Sequence, residues 1–113
     1  MRIEIKPLSV NKAWQGRRFK TKMYKEFEEY FLMLLPSNYK IPSGGLRLYL
    51  EYGFSSKASD VDNPTKMVID VLSKKYGFND NRIYSLRLEK KIVKKGSEYI
   101  YFSFDKYLLD EEI

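Results

Sequence analysis

The chain has 113 residues, 43% of them hydrophobic, enough for one domain around one modest core. It contains neither cysteine nor histidine, which excludes disulfides, thiolate and imidazole metal sites, and every hydrolase arrangement that needs a histidine base. A net charge of +6 favours a polyanionic partner, nucleic acid most simply, and any metal bound here must be a hard, oxygen-ligated one.

The N-terminus, MRIEIKPLS, is charged and alternating, and no run of about eighteen apolar residues occurs anywhere. Neither a signal peptide nor a membrane partner is expected, and a cytoplasmic location is the default. Residues Arg2 to Lys6 read as a first strand ended by Pro7. The stretch LSVNKAWQGRRFKTK has no sustained period and reads as a loop. It interleaves Lys12, Arg17, Arg18 and Lys20 with Trp14 and Phe19, a mixture suited to phosphate contacts and base stacking. The competing reading is a solvated loop with two aromatics turned into the core.

A first helix is predicted from Lys22 to Leu35, capped by Thr21 and stopped by Pro36, with Met23, Phe27, Tyr30, Phe31 and Leu34 as its core stripe. Residues Leu46 to Phe54 alternate strictly and form the clearest strand, with Leu46, Leu48, Leu50, Tyr52 and Phe54 on one face. A second helix runs from Pro64 to Tyr76, with Asn63 placed to cap and Gly77 as the left-handed stop. Strands from Ile83 to Val93 and from Glu98 to Tyr107 follow, and the intervening KKGSE reads as a hairpin loop. The order β-α-β-α-β-β predicts an α+β fold, a small mixed sheet with two packed helices in one domain.

Between Ser59 and Ile83 the chain gathers Asp60, Asp62, Asp70 and Asp80 around Lys66. In one reading Asp60, Asp62 and Asp80 ligate Mg²⁺ through hard oxygens, while Lys66 neutralises charge on a scissile phosphate. In a second, Asp62 and Asn63 are capping residues, Lys66 and Asp70 form a surface pair, and Asp80 starts a turn. A calcium loop fails because Thr65 and Val71 stand where its glycine and glutamate belong. Asp70 lies two turns along the helix from Asp62 and suits a supporting role.

The pattern Asp60-Val-Asp62-Asn63-x-x-Lys66-x-x-x-Asp70-x-Leu72, then Gly77-Phe78 and Asp80 followed by Ile83, resembles the RusA family of Holliday junction resolvases. A weaker echo lies in PLSVNKAW and the basic loop and helix after it. Asn79 departs from the pattern, standing where an acidic residue often precedes the last aspartate. The resemblance implies a RusA-like homodimer that cuts four-way DNA junctions by paired symmetric nicks in recombination and repair, with Mg²⁺ as cofactor, Mn²⁺ as a substitute and no nucleotide cofactor. It makes Asp60, Asp62 and Asp80 the metal triad and Lys66 the catalytic lysine, with Asn63 and Asp70 in support. Lys12, Trp14, Arg17, Arg18 and Lys20 are the candidate DNA contacts. The rivals are a less selective branched-DNA nuclease and a DNA-binding accessory protein that does not cut.

Overall fold

The computed structural model describes residues 1–9, 14–15 and 19–108. Its strands are β1 (Arg2–Ile3), β2 (Trp14–Gln15), β3 (Phe19–Lys20), β4 (Leu46–Phe54), β5 (Ile83–Ile92) and β6 (Tyr99–Lys106), with helices α1 (Lys22–Leu34) and α2 (Thr65–Tyr76). β1, β6, β4 and β5 form one mixed sheet in that order, and β2 pairs with β3 in a separate ribbon. The α+β class and the element order expected from the sequence are those of the fold, with the small ribbon added. The ribbon corrects the reading of residues 8–22 as loop throughout: β-favouring aromatics occupy both strands, in the pairs Trp14↔Lys20 and Gln15↔Phe19.

β4 is the centre of the sheet. Leu46, Leu48, Leu50 and Tyr52 on its core face are fully buried, and Ile100, Phe102 and Phe104 of β6 extend the same surface. β4 runs antiparallel to β6 and parallel to β5, so α2 is the crossover of a β4-α2-β5 unit. The expected β5–β6 hairpin is therefore not formed. β6, buried on its core face from Ile100 to Phe104, takes the inner place beside β4, whereas β5, carrying Arg87, Lys90 and Lys91, tolerates the edge. The connection passes the end of β4, and Gly96, at φ 95°, supplies the left-handed residue its turn needs.

Helix α1 begins where expected, with Thr21 accepting from the Tyr24 amide at 3.2 Å, and ends at an extended Leu35 before Pro36. Its buried stripe is Tyr24, Phe27, Phe31 and Leu35, one step round from the predicted one; Met23 and Tyr30 are each 49% exposed. Helix α2 buries Met67, Val68, Val71 and Leu72 and leaves Lys66 and Lys74 outside, as its pattern requires. Gly77 ends it at φ 68°, ψ 33°. β1 is shorter than predicted because the Ile5 amide turns back onto the Ile3 carbonyl at 2.9 Å. Among the described residues no helix is long and apolar enough to cross a membrane.

Candidate active site

The acidic loop leaves the C-terminal end of β4 and enters α2 through a series of backbone turns. The Asn63 amide donates to the Asp60 carbonyl at 3.2 Å and the Thr65 amide to the Asp62 carbonyl at 3.1 Å. Pro64 takes the capping position itself, at φ −85° and ψ −2° with no side-chain cap, so α2 starts one residue later than expected and Asn63 is not its cap. The turns satisfy helix-start donors with main-chain oxygens, which leaves the Asp60 and Asp62 side chains exposed to solvent.

Two contacts that the pattern did not signal fix this entry. The Tyr52 hydroxyl, at the end of β4, lies 2.8 Å from the Thr65 hydroxyl in a fully buried contact, and so ties the first turn of α2 to the sheet. Burial pushes the Tyr52 phenol well above its ordinary range, which keeps it protonated and able to hold that contact. From β5, Lys90 Nζ donates to the Ser59 carbonyl at 2.8 Å and to the Lys57 carbonyl at 3.2 Å, clamping the strand-to-loop exit. Neither contact has a sequence signature, since one depends on how α2 packs on β4 and the other on which strand neighbours β4.

Asp80 arrives from the other direction. It opens a short 3₁₀ turn, Asp80–Arg82, capped by the Asn79 side chain, whose Oδ1 accepts from the Asn81 amide at 3.0 Å. Asparagine thus does the capping work of an acidic residue at this position. Arg82 anchors the turn by donating to the Gly44 carbonyl at 2.9 Å and to the Pro42 carbonyl.

Lys66 is where the two approaches meet. Its Nζ lies 3.8 Å from Asp70 Oδ1 and 3.9 Å from Asp80 Oδ2, and its side chain is 74% exposed. These separations are charge contacts beyond hydrogen-bond range, so the ammonium keeps its donors for another anion. It lines a shallow cleft of about 260 Å³ with Ile69, Asp80, Ile83, Tyr84 and Leu86. Asp60 and Asn63 line a different cleft of about 490 Å³, together with Lys6, Met23, Ser55 and Glu98. The Ser55 hydroxyl donates to Glu98 at 2.8 Å and holds its carboxyl below the usual range.

The structure therefore brings Lys66, Asp70 and Asp80 together and sets Asp60 and Asn63 on a neighbouring cleft. The topology gives the reason. Asp60 and Asp62 follow the end of β4 while Asp80 precedes the start of β5, which pairs with Leu46 at the other end of β4, and it is the long Lys66 side chain that reaches Asp80. Carboxylate oxygens are the donors Mg²⁺ prefers, but among the described residues no three acidic side chains are gathered closely enough to hold a metal ion. As placed, Asp60, Asp62 and Asp80 do not make a ligand set.

Of the expected DNA contacts, Lys12, Arg17 and Arg18 lie outside the described residues, and Trp14 belongs to β2. Lys20 is engaged internally: it donates to Glu28 at 3.0 Å and sits 4.7 Å above the Tyr24 ring. No family model matches the chain, and no curated protein matches it.

Proposed function

We propose that the chain is a Mg²⁺-dependent endodeoxyribonuclease acting on four-way DNA junctions, working as a homodimer in the manner of the RusA-like proteins its central motif resembles. The observation that carries the reading is Lys66: an exposed ammonium on the first turn of α2, loosely paired to Asp70 and Asp80, directly after a loop bearing Asp60 and Asp62. A surface lysine kept for stability alone needs no such concentration of acid around it. On a chain of net charge +6, carboxylates beside a phosphate path are repulsive unless a cation bridges them. Asp60, Asp62 and Asp80 are the carboxylates the resemblance assigns to that cation, Mg²⁺ or Mn²⁺, and holding it would require them to draw together from the positions they have here.

In this reading Lys66 binds the scissile phosphate and neutralises the charge that builds there, and Asp70 aims the ammonium from one turn below. Asn63 and the main-chain turns keep the acidic loop in place, and Lys12, Arg17 and Arg18 position the DNA backbone without reading bases, Lys20 being taken by Glu28. Two symmetric cuts need two copies of a single site, which a two-fold homodimer supplies.

The second reading is a DNA-binding recombination accessory protein that does not cut, and the ion pairs Lys66 makes to Asp70 and Asp80 favour it, because they also describe a self-neutralised surface. The test is incubation of a synthetic four-way junction with the chain in Mg²⁺, beside a flap and a plain duplex, with Asp62→Asn as control. Paired nicks in the junction alone, absent in D62N, are the expected result. Tight binding without cutting in Mg²⁺ or Mn²⁺ overturns the nuclease reading; equal cutting of all three substrates overturns junction selectivity and leaves a general branched-DNA nuclease.

A further inference from the structure

β5 is the one long strand at the rim of the main sheet, and among the described residues its outer edge pairs with nothing. Such an edge invites another strand. Its residues are self-complementary. A two-fold axis perpendicular to the sheet keeps both faces continuous, and in an antiparallel β5–β5 pair it must pass through a residue facing its own copy. Centred on Arg87 the pair sets arginine against arginine, and centred on Glu89 it sets glutamate against glutamate. Centred on Leu88 it places Leu88 against Leu88 and Arg87 against Glu89 twice, with Lys90 facing Leu86 and Lys91 facing Ser85. No like charges face each other in that register.

We propose that a second copy of this chain docks on β5 in the Leu88-centred antiparallel register, making one continuous eight-stranded sheet across the two protomers. The surface is prepared for it. Arg87 and Glu89 already pair with each other at 3.2 Å on the solvent side, 72% and 40% exposed, and would exchange that local pair for cross-strand ones. Leu86 is 43% exposed on the face that the dimer extends. In this register the lysines that protect an edge from indiscriminate pairing fall opposite uncharged residues, while Arg87 and Glu89 face each other twice across the axis. The inference rests on the two-fold pairing proposed above and names its surface.

Sedimentation of the full chain tests it, with Arg87→Glu, Glu89→Arg, their equimolar mixture and the double variant. Wild type is expected to be a dimer. Each single change sets two like-charged pairs across the axis and raises the dissociation constant by about tenfold or more. Mixing the two singles restores pairing as a heterodimer, and R87E/E89R restores it as a homodimer, which also shows that the variants fold. A dimer indifferent to both single changes overturns the β5 surface and leaves the two-fold reading standing; a chain monomeric at every concentration overturns both.

Discussion

Two ion clusters on α2 differ in every respect that separates structural charges from available ones. Between the helices, Glu28 of α1 accepts from Lys20 at 3.0 Å and from Lys74 at 3.3 Å, and its side chain is only 13% exposed. At the other cluster Lys66 is 74% exposed and stands 3.8 and 3.9 Å from its acids. Burial alone would raise the Glu28 carboxyl, but hydrogen bonds and charge from Lys20 and Lys74 outweigh it and hold the group below its ordinary value. Tyr24, beside the same cluster, is pushed up to about 12 by burial and by the charges of Asp70 and Glu28. One cluster is committed to joining the helices; the other is open to a phosphate.

That contrast breaks first at Lys66. Lys66→Ala should lower junction cleavage by on the order of 100-fold or more, as loss of a charge-stabilising donor does, while stability changes by less than about 0.5 kcal/mol. Thermal melting beside single-turnover cleavage reads both. Next is Tyr52→Phe, which leaves the buried Thr65 hydroxyl without its partner and should cost about 1–2 kcal/mol by urea unfolding. Because Tyr52 fixes the turn that carries Lys66, cleavage should also fall; unchanged stability would show that the contact does not anchor α2. Glu28→Gln sharpens the other side, at about 1 kcal/mol near pH 7 with cleavage unaffected. Since the folded state depresses this carboxyl below 4.5, its stabilisation is present at higher pH and is lost as pH falls through the folded value, so wild type and E28Q should converge in acid. The smallest effect belongs to Asp70→Asn, a few tenths of a kcal/mol for an exposed i,i+4 pair, roughly 0.3.

Local signals carried well where one segment decided its own structure. Thr21, Gly77 and the alternation from Leu46 to Phe54 mark their elements because a cap, a left-handed stop and a two-sided strand are settled within a few residues. Lys66 and its pairing with Asp70 were legible for the same reason, being four apart on one helix. What the sequence could not reveal was pairing order. The glycine turn after β5 suits a hairpin, and only competition for the place beside β4, won by Phe102 and Phe104, sends β6 across. The same order sets Asp80 on one cleft and Asp60 on another, although the two are only twenty residues apart along the chain. The clamp from Lys90 and the anchor from Arg82 were hidden likewise, each reaching a main-chain oxygen more than thirty residues away.

The central claim is that Lys66 serves a phosphate and not the fold. Its most direct test is to measure junction binding and junction cleavage by Lys66→Ala on one labelled four-way substrate in Mg²⁺. Binding should be kept and both symmetric nicks lost; cleavage at the wild-type rate rules out this role for Lys66.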